Sequence, residues 1–425
     1  MSINNVNFAP LNINKIALNK KKIFNDPIYG FISIPNDLIF DLIEHPYFQR
    51  LRRISQLGLT HMVYPGAIHT RFAHALGSMH MCGMALEVLK SKGQKITEDE
   101  SNGVLIAVLL HDIGHGPYSH ALENSIVTGI THEKLSELYM EALNIEFKGK
   151  LTTAIKIFKG EYPKRFLHSL VSSQLDMDRL DYLKRDCFYT GVEEGAIGTD
   201  RLIKMLDVHN DKLVIEAKGI YSVEKFILAR RLMYWQVYLH KTVVSAEFLL
   251  ATILKRAKEL AIAEKPMFCS PTLSRFLHNK FSEKEFESNP VNLKLFAELD
   301  DFDIMGSIKV WQKHGDDILS VLSEKLITRK LNALEISTSP PDGTKTKKAR
   351  EKAMKMYRLK QKEIPFMVQT GLLSNPAYKK EDDRINLLYK DGKIVDIATA
   401  SDQQTISVIT IPLKKYFLYY PKECL

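Results

Sequence analysis

An apolar segment that ends in two polar side chains constrains the fold of this chain more than any other feature. Residues 101–113, SNGVLIAVLLHDI, are almost continuously apolar and predict a buried helix, yet they include His111 and Asp112 near their end. The following GHGPYS stops the helix, because glycine and proline together cannot continue it. Burying a carboxylate and an imidazole at the end of a core helix costs free energy unless a partner compensates them. A metal ion would be such a partner.

The size and composition of the chain predict a large hydrophobic core with a smaller appendage. Of its 425 residues, 45% are hydrophobic, which is enough to bury a sizeable interior. The apolar runs fall short of the roughly 18 residues that span a bilayer, so we expect no membrane partner. The N-terminal lysines follow a short, polar-interrupted stretch, which is not the pattern of a secretory signal.

The spacing of the cysteines indicates the cellular compartment, and the net charge indicates the kind of partner. The four cysteines are widely scattered and form no CxxC motif. This favours free thiols in a reducing cytosol, and we therefore expect a cytoplasmic protein. The formal net charge of +9 suits either nucleic acid or a pocket for a phosphate-rich small molecule. Charge alone does not choose between them.

Hydrophobic periodicity predicts a mainly α fold, with a helical core, small β-hairpins and an α+β appendage at the C-terminal end. Two short β elements are expected before and after the central helices, at 24–35 and within VHNDKLVIEAKG. Apolar residues at helical spacing predict helices over 36–58 with a break at His45–Pro46, about 71–89, 101–113, 174–186 and 222–263.

The C-terminal part of the chain changes character. Residues 337–363 open with a proline-rich break and become densely basic. A solvated helix or connector is the favoured interpretation, and a lysine-rich rim for a nucleotide phosphate is the alternative. Asp391-Gly392 between alternating apolar residues is a strong hairpin signal, and ISVITIPLKKYFLYYP adds one or two strands. We expect four segments: 1–50 with the first hairpin and helix, a catalytic helical core over 51–265, a helical extension over 266–345 and an α+β region over 346–425.

Four side chains form a candidate metal site: His74, His111, Asp112 and Asp178. Imidazole and carboxylate are ligands that borderline and hard divalent cations accept. Neighbouring helices could bring His74 and Asp178 to the end of the apolar helix. As alternatives, His74 could be an ordinary helix histidine, and Asp178 could pair with Arg185 on the same helix face. Asp181 could likewise pair with Arg185 at a spacing of four.

Four ordered motifs carry a family resemblance. RFAHALG, LLHDIGHGPYSH, THEKLS and DMDRLDYLKRD occur in this order and with intact spacing. They resemble the HD-domain phosphohydrolase superfamily, and more narrowly its deoxynucleoside triphosphate triphosphohydrolase branch. The likeness runs from about Asp26 to Lys241. A His-Asp dipeptide alone would be weak evidence, whereas the four motifs together are highly specific.

The resemblance implies a metal-dependent hydrolase. His74, His111, Asp112 and Asp178 would hold one divalent ion, with Mn, Mg, Fe, Zn, Co and Ni all compatible with such ligands. In-line attack at the α-phosphorus would release a deoxynucleoside and intact triphosphate.

The resemblance also assigns catalytic roles. His115 and His120 match catalytic histidines beside the phosphates, with His120 as the preferred general acid. Glu123 and the pair His132-Glu133 match supporting groups. As an alternative, His115 could simply hydrogen-bond the backbone at the helix end.

The substrate contacts implied by the resemblance lie in three segments. Arg71, Arg179 and Arg230 would bind phosphates, although relatives commonly have lysine at the position of Arg179. Tyr182 would crowd the 2′ edge of the sugar and so disfavour ribose. The remaining contacts would be Gln56 and Asp186 on the 3′-hydroxyl and Tyr238 near the base. Relatives have a histidine where this chain has Tyr234, so the base contacts are open. Helical spacing also places Arg230, Tyr234, Tyr238 and Lys241 on one stripe.

Three functions remain open at this point. The first is hydrolysis of deoxynucleoside triphosphates, and the second is hydrolysis of a nucleoside monophosphate, cyclic nucleotide or alarmone. The third is a regulatory or nucleic-acid-binding protein, in which the basic 345–362 run would contact single-stranded nucleic acid. The resemblance further implies a homo-oligomer, a dimer or tetramer, with the lysines of 345–362 as a candidate site for a nucleotide activator.

Overall fold

The predicted mainly helical fold with small β elements is confirmed. The structure, a computed structural model, describes residues 22–118, 125–127, 129–375, 384–401 and 413–425. A predicted hairpin opens this part of the chain as β1 (Ile23–Asp26) and β2 (Gly30–Ser33), which pair antiparallel.

The predicted break at His45-Pro46 is also confirmed. Helix α1 (Asp37–Glu44) begins where the Asn36 side chain accepts a hydrogen bond from the Ile39 amide at 2.9 Å. After His45, the chain continues as the short helix α2 (Pro46–Gln49) and one 3-10 turn, Arg50–Arg53. Proline is accepted at the start of α2 because the first amides of a helix need no partner within it.

Helices form most of the described chain. The helix α4 follows a capping box, in which the Thr97 hydroxyl and the Glu100 carboxylate bond each other's amides. The helices after α2 are α3 (Arg71–Ser91), α4 (Glu98–Leu110), α5 (His132–Glu146), α6 (Thr152–Phe158), α7 (Arg165–Val171), α8 (Met177–Thr190), α9 (Thr199–Lys204), α10 (Ile220–Met233), α11 (Lys241–Ile262), α12 (Pro271–His278), α13 (Glu283–Ser288), α14 (Pro290–Glu298), α15 (Asp301–Trp311), α16 (Asp317–Ile327), α17 (Gly343–Met356) and α18 (Ile397–Ala400).

The centre of the core is the packing of α3 against α4 and α8. All seven residues 104–110 at the end of α4 are buried, and full burial of a leucine, isoleucine or valine side chain contributes about 1.5–3 kcal/mol. This burial holds the end of α4, and the polar residues that follow it, against the first turns of α3 and α8.

A π-helical turn interrupts the predicted long helix over 222–263. Helix α10 ends at Met233, the π turn covers Tyr234–Tyr238, and α11 begins at Lys241. Of the predicted stripe, Arg230 remains 6.0 Å from the Tyr234 ring and Tyr234 5.2 Å from the Tyr238 ring, whereas Lys241 begins the next helix beyond the bend. Within the described residues no single helix has the length and apolarity to cross a bilayer. The segments Ala217–Tyr238 and Lys241–Ile262, which are bent by 56° relative to each other, have that length and apolarity only when taken together.

Two small sheets join distant parts of the chain. The predicted hairpin at Asp391-Gly392 is confirmed, and its first strand pairs parallel with the hairpin that follows α9. The strands, in their order within each sheet, are β3 (Leu206–His209), β4 (Lys212–Glu216), β7 (Asn386–Leu388) and β8 (Ile394–Asp396), and then β5 (Ala333–Ser337), β9 (Leu413–Tyr420) and β6 (Gln369–Asn375).

One hydrophobic cluster extends from Ile32 to Cys424 and includes residues from all four predicted segments. The boundaries of those segments stay a prediction. Helix α17 carries most of the basic 345–362 run, buries Thr346, Ala349 and Ala353 and exposes most of its other residues. It is thus the solvated helix that the sequence favoured.

Candidate metal and substrate site

The four predicted metal ligands converge at one point of the core. His74 lies in the first turn of α3, His111 and Asp112 follow α4, and Asp178 lies in the first turn of α8. One Asp178 oxygen is 3.0 Å from His74 Nε2 and 3.4 Å from His111 Nε2. Asp112 oxygens are 3.7 Å from His74 Nε2 and 3.3 Å from His111 Nε2. Three separate helices therefore bring two imidazoles and two carboxylates together.

Hydrogen bonds on the far side of each imidazole orient it toward this point. His74 Nδ1 lies 2.7 Å from Asp181, and His111 Nδ1 lies 2.6 Å from the Val108 carbonyl oxygen. Both acceptors require a proton on Nδ1, so Nε2 is the nitrogen that faces the cluster, and its lone pair is available to a metal once Nε2 gives up its proton. Each Nε2 faces the Asp178 carboxylate, at 3.0 Å for His74 and 3.4 Å for His111. Two inward lone pairs beside two carboxylates fit a divalent cation.

The electrostatics of the cluster also favour a cation. Burial lowers the pKa of His74, but hydrogen bonds and charges from Asp178 and Asp181 outweigh burial and raise that pKa to about 10. Burial is likewise outweighed at His111 by Asp112 and Asp178, which raise its pKa to about 9. Both carboxylate pKa values are lowered despite burial, chiefly by the charge of His111. The carboxylates therefore stay ionised and attract positive charge to the centre.

Behind His74 lies a buried network that the sequence analysis did not assign to the site. Asp181 accepts from His74 and from Arg185, whose Nε is 2.9 Å away, and Arg185 also donates to Asp26 at 2.8 Å. The predicted pairing of Asp181 with Arg185 is confirmed, whereas the alternative pairing of Asp178 with Arg185 is not observed. Asp178 is thus free of Arg185 and remains available as a metal ligand beside His74 and His111.

We expect Asp181→Asn to weaken metal binding about 10–100-fold, because the carboxylate behind a ligating histidine fixes its tautomer and raises its basicity. Titration of the metal-depleted protein with Mn²⁺ measures this. The matched control is Asp26→Asn, which removes the other carboxylate on Arg185 without touching His74. Equal metal affinities for the two variants would contradict this role of Asp181.

His115 and His132 form a second histidine cluster beside Asp112. The two rings are 3.9 Å apart at their centroids, and His115 Nδ1 lies 3.3 Å from an Asp112 oxygen. His115 Nδ1 is also 3.4 Å from the Asp112 carbonyl, so the backbone contact of the alternative interpretation is present together with the contact to the site. His120 and Glu123 lie outside the described residues, and their roles stay predictions.

A buried arginine that the sequence analysis missed supports the loop after α4. The guanidinium of Arg50 donates to the carbonyl oxygens of Ile113 and His115, at 2.6 and 2.8 Å. Its side chain packs near the rings of Tyr139 and Phe296. Arg50 therefore holds the backbone that carries His115.

The first group of predicted substrate residues lies along one wall of the site. The Arg71 guanidinium hydrogen-bonds Asp112, which places a cation beside the four candidate metal ligands. Residues 54–56 pair with 69–71, since the Gln56 amide donates to the His69 carbonyl and the Arg71 amide to the Ile54 carbonyl, each at 3.0 Å. Gln56 Oε1 is buried and has no hydrogen-bond partner within the described ranges.

The second group centres on the buried carboxylate of Asp186. It accepts from Tyr238 Oη at 2.7 Å, and its other oxygen is 2.7 Å from His69 Nε2. The Tyr182 ring lies 6.2 Å from the Tyr238 ring, edge to face. The structure thus brings Tyr182, Asp186 and Tyr238 together as the resemblance implied, and it adds His69, which the sequence analysis had not singled out.

The third group consists of two arginines that already have protein partners. Arg179 donates to the Ser173 carbonyl at 2.6 Å, and its Nε is 3.3 Å from Asp176. Arg230 is buried and donates to Gln174 Oε1 at 3.0 Å. Residues 173–176 therefore anchor both cations. Their position just before and at the first residue of DMDRL was the only sequence signal for them.

Comparisons with known proteins agree with this geometry. The HD domain profile matches residues 71–184, and the profile of the HD associated region matches 197–275. The chain is similar to the uncharacterized protein YwfO of Bacillus subtilis (strain 168), with 34% identity over 74% of this chain and 72% of that protein. It is 32% identical to the deoxynucleoside triphosphate triphosphohydrolase SAMHD1 homolog of Dictyostelium discoideum, over 60% of this chain and 55% of that protein.

A solved structure extends the likeness over nearly the whole chain. The phosphohydrolase of Bacteroides thetaiotaomicron superposes with a TM-score of 0.90 and 51% identity, covering 94% of this chain and 99% of that one. The matched profile, the relatives and the converging His-Asp cluster all lead to the same family. This chain belongs to the HD-domain phosphohydrolase superfamily.

Proposed function

We propose that the protein hydrolyses deoxynucleoside triphosphates to a deoxynucleoside and inorganic triphosphate with the help of a divalent metal. The observation that carries the proposal is a set of three arginines extending from the metal cluster. Arg71 contacts Asp112, Arg179 follows Asp178 on α8, and Arg179 and Arg230 are both bonded to the segment 173–176 that precedes α8. Several fixed cations around a metal site suit a chain of several phosphates. The similarity to proteins named deoxynucleoside triphosphate triphosphohydrolases supports the same substrate.

In this proposal His74, His111, Asp112 and Asp178 hold the metal. A metal in such a site polarises a phosphoryl oxygen and lowers the pKa of bound water. Arg71 would neutralise charge that develops on the α-phosphate, because it lies beside the metal carboxylate. Water adds to the α-phosphorus, the bond to the sugar 5′-oxygen breaks, and that oxygen takes up a proton. His115, held by Arg50, orients the phosphate, and His120 is the proposed proton donor.

Sugar recognition is assigned to the group around Asp186. Its two oxygens bond His69 and Tyr238, and each carboxylate oxygen can accept a second hydrogen bond. The 3′-hydroxyl would donate to Asp186, and Gln56 Oε1 is a further acceptor available for it. Tyr182 would occupy the space of a 2′-hydroxyl, so ribonucleotides would bind less well.

Product identification tests this function. Purified protein is incubated with each of the four deoxynucleoside triphosphates and with Mn²⁺, Mg²⁺, Fe²⁺, Zn²⁺, Co²⁺ or Ni²⁺ in turn, and products are separated by chromatography. We expect deoxynucleoside and triphosphate in equal amounts, and slower turnover of the matching ribonucleotides. A chelator-treated sample is the control. Release of orthophosphate, or of a monophosphate with pyrophosphate, would contradict the proposal.

A second candidate is hydrolysis of a nucleotide with fewer phosphates. The observation in its favour is that Arg179 and Arg230 are already bonded to Ser173 and Gln174, so a long phosphate chain would have to replace or share these contacts. Turnover of nucleoside monophosphates, cyclic nucleotides or alarmones in the same assay would support it.

Assembly and location complete the proposal. The scattered cysteines support a cytoplasmic location, and the family resemblance supports a dimer or tetramer with a nucleotide activator, for which the basic face of α17 is a candidate site. Single-stranded nucleic acid is a less favoured partner of the same face. Its binding would weaken steeply with salt.

A further inference from the structure

A carboxylate outside both matched family regions contacts two backbone segments of the site. Asp301 is the first residue of α15 and is 7% exposed. One of its oxygens accepts the Ser55 amide at 2.8 Å, and the other accepts the Tyr118 amide at 2.8 Å. The family profiles match residues 71–184 and 197–275. Asp301 therefore reaches the catalytic core from the helical region that follows it.

The Ser55 contact supports the wall that carries Gln56 and Arg71. Ser55 is the centre of the short antiparallel pairing between 54–56 and 69–71. A shift of Ser55 would move the backbone of both proposed substrate residues, because the pairing joins them. The amide of Ser55 is thus the point where α15 holds this wall.

The Tyr118 contact supports a second segment of the site, the loop after α4 that carries His115. Tyr118 has a φ of 49°, a left-handed conformation that a bulky residue rarely adopts and that costs free energy. Its amide needs a partner because the residue is buried. The Asp301 carboxylate supplies this partner and so favours the unusual turn that follows His115.

The start of α15 is itself well anchored. Asp300, the residue before the helix, accepts the Phe302 amide at 2.9 Å and forms an ion pair with Arg53. Asp303 accepts the Asp300 amide at 2.9 Å, completing a capping arrangement. A carboxylate at the start of a helix is also favoured by the helix dipole. The contacts of Asp300 and Asp303 therefore fix the backbone at the start of α15, and with it the position from which the Asp301 side chain bonds the two segments.

We infer that Asp301 is a positioning residue that sets the spacing between two backbone segments of the substrate site, 54–56 with Gln56 and the loop after α4 with His115. The inference rests on the proposed function for the identity of the substrate, but not for the two backbone contacts. It predicts that α15 controls substrate hydrolysis without touching the metal, the substrate or any metal ligand.

The test compares Asp301→Asn and Asp301→Ala with Asp317→Asn. The asparagine side chain would keep the shape but turn an amide group toward one of the two N–H donors, and alanine would remove both acceptors. Asp317 is also the first residue of a helix, α16, and is exposed, so its replacement controls for the loss of charge at a helix start. Metal content, kcat and KM for a deoxynucleoside triphosphate, and hydrogen exchange at the Ser55 and Tyr118 amides are measured.

We expect both Asp301 variants to retain full metal content, to lose about 100-fold in kcat/KM, and to exchange the two amides faster. The loss should include a rise in KM, because Gln56 and Arg71 are displaced, and Asp317→Asn should match the wild type. Unchanged exchange and unchanged kcat/KM in folded Asp301 variants would overturn the inference. If the wild type hydrolyses no deoxynucleoside triphosphate, the proposed function fails, and the exchange measurement alone decides on Asp301.

Discussion

Replacing Asp178 by alanine should remove bound metal and lower kcat at least about a thousandfold. One oxygen of Asp178 lies within 3.4 Å of both inward-facing histidine nitrogens, so its loss leaves the cluster without the carboxylate that joins α8 to α3 and α4. A metal contributes several kcal/mol of transition-state stabilisation, and each 1.36 kcal/mol is about a tenfold change in rate. Metal analysis by mass spectrometry and steady-state turnover measure the two effects.

The control for this variant is Asp200→Ala. Asp178 and Asp200 are both the second residue of a helix, of α8 and α9 respectively, but Asp200 is exposed. We expect Asp200→Ala to keep its metal and its turnover. An Asp178→Ala protein that retained both would show that the cluster is not the metal site.

Replacing Gly77 by alanine should destabilise the protein by about 3 kcal/mol, the upper range for an overpacked core. A Cβ at Gly77 would lie 2.0 Å from an Asp181 oxygen and 2.3 Å from Arg185 Nη2. These atoms belong to a fully buried ion pair, and separating such a pair leaves charges uncompensated. Because Asp181 orients His74, metal affinity should fall as well. Chemical denaturation and metal titration measure the two changes.

Gly83→Ala on the same helix is the matched control. A Cβ there meets only the Leu105 side chain, at an ordinary distance of 3.9 Å. The change should stabilise the protein by about 0.5–1 kcal/mol, because alanine loses less backbone entropy than glycine in a helix. Similar effects of the two substitutions would argue against close packing of α3 on the Asp181–Arg185 pair.

Part of the candidate metal site could be predicted from the sequence, and part could not. His111 and Asp112 could be singled out because two polar side chains closed an apolar helix, and the family motifs supplied His74 and Asp178. The pattern left open whether Asp178 faced the cluster or paired with Arg185, since Asp178, Asp181 and Arg185 all lie on α8. The packing of α8 against α3 made that choice: Asp181 contacts the far side of His74, and Asp178 the near side.

Among the proposed substrate residues, the contacts that the sequence could not predict are those between distant segments. Helical spacing predicted one stripe through Arg230 and Tyr238, but it could not predict the π turn at Tyr234–Tyr238, because such a turn has no periodic signature in the sequence. His69 contacts Asp186 across 117 residues, and Asp301 contacts Ser55 across 246. Such pairs leave no local pattern, since neither partner is unusual in its own segment.

The sequence by itself determined the helical core, the hairpins at 24–35 and Asp391-Gly392, and the set of candidate metal ligands. These depend on periodicity, turn residues and ligand chemistry, which neighbouring residues encode. The tertiary structure alone decided which side chains orient those ligands and which contacts hold the two backbone segments of the substrate site. Such contacts depend on how α3, α4, α8 and α15 pack, and packing depends on the shapes of surfaces that are far apart along the chain.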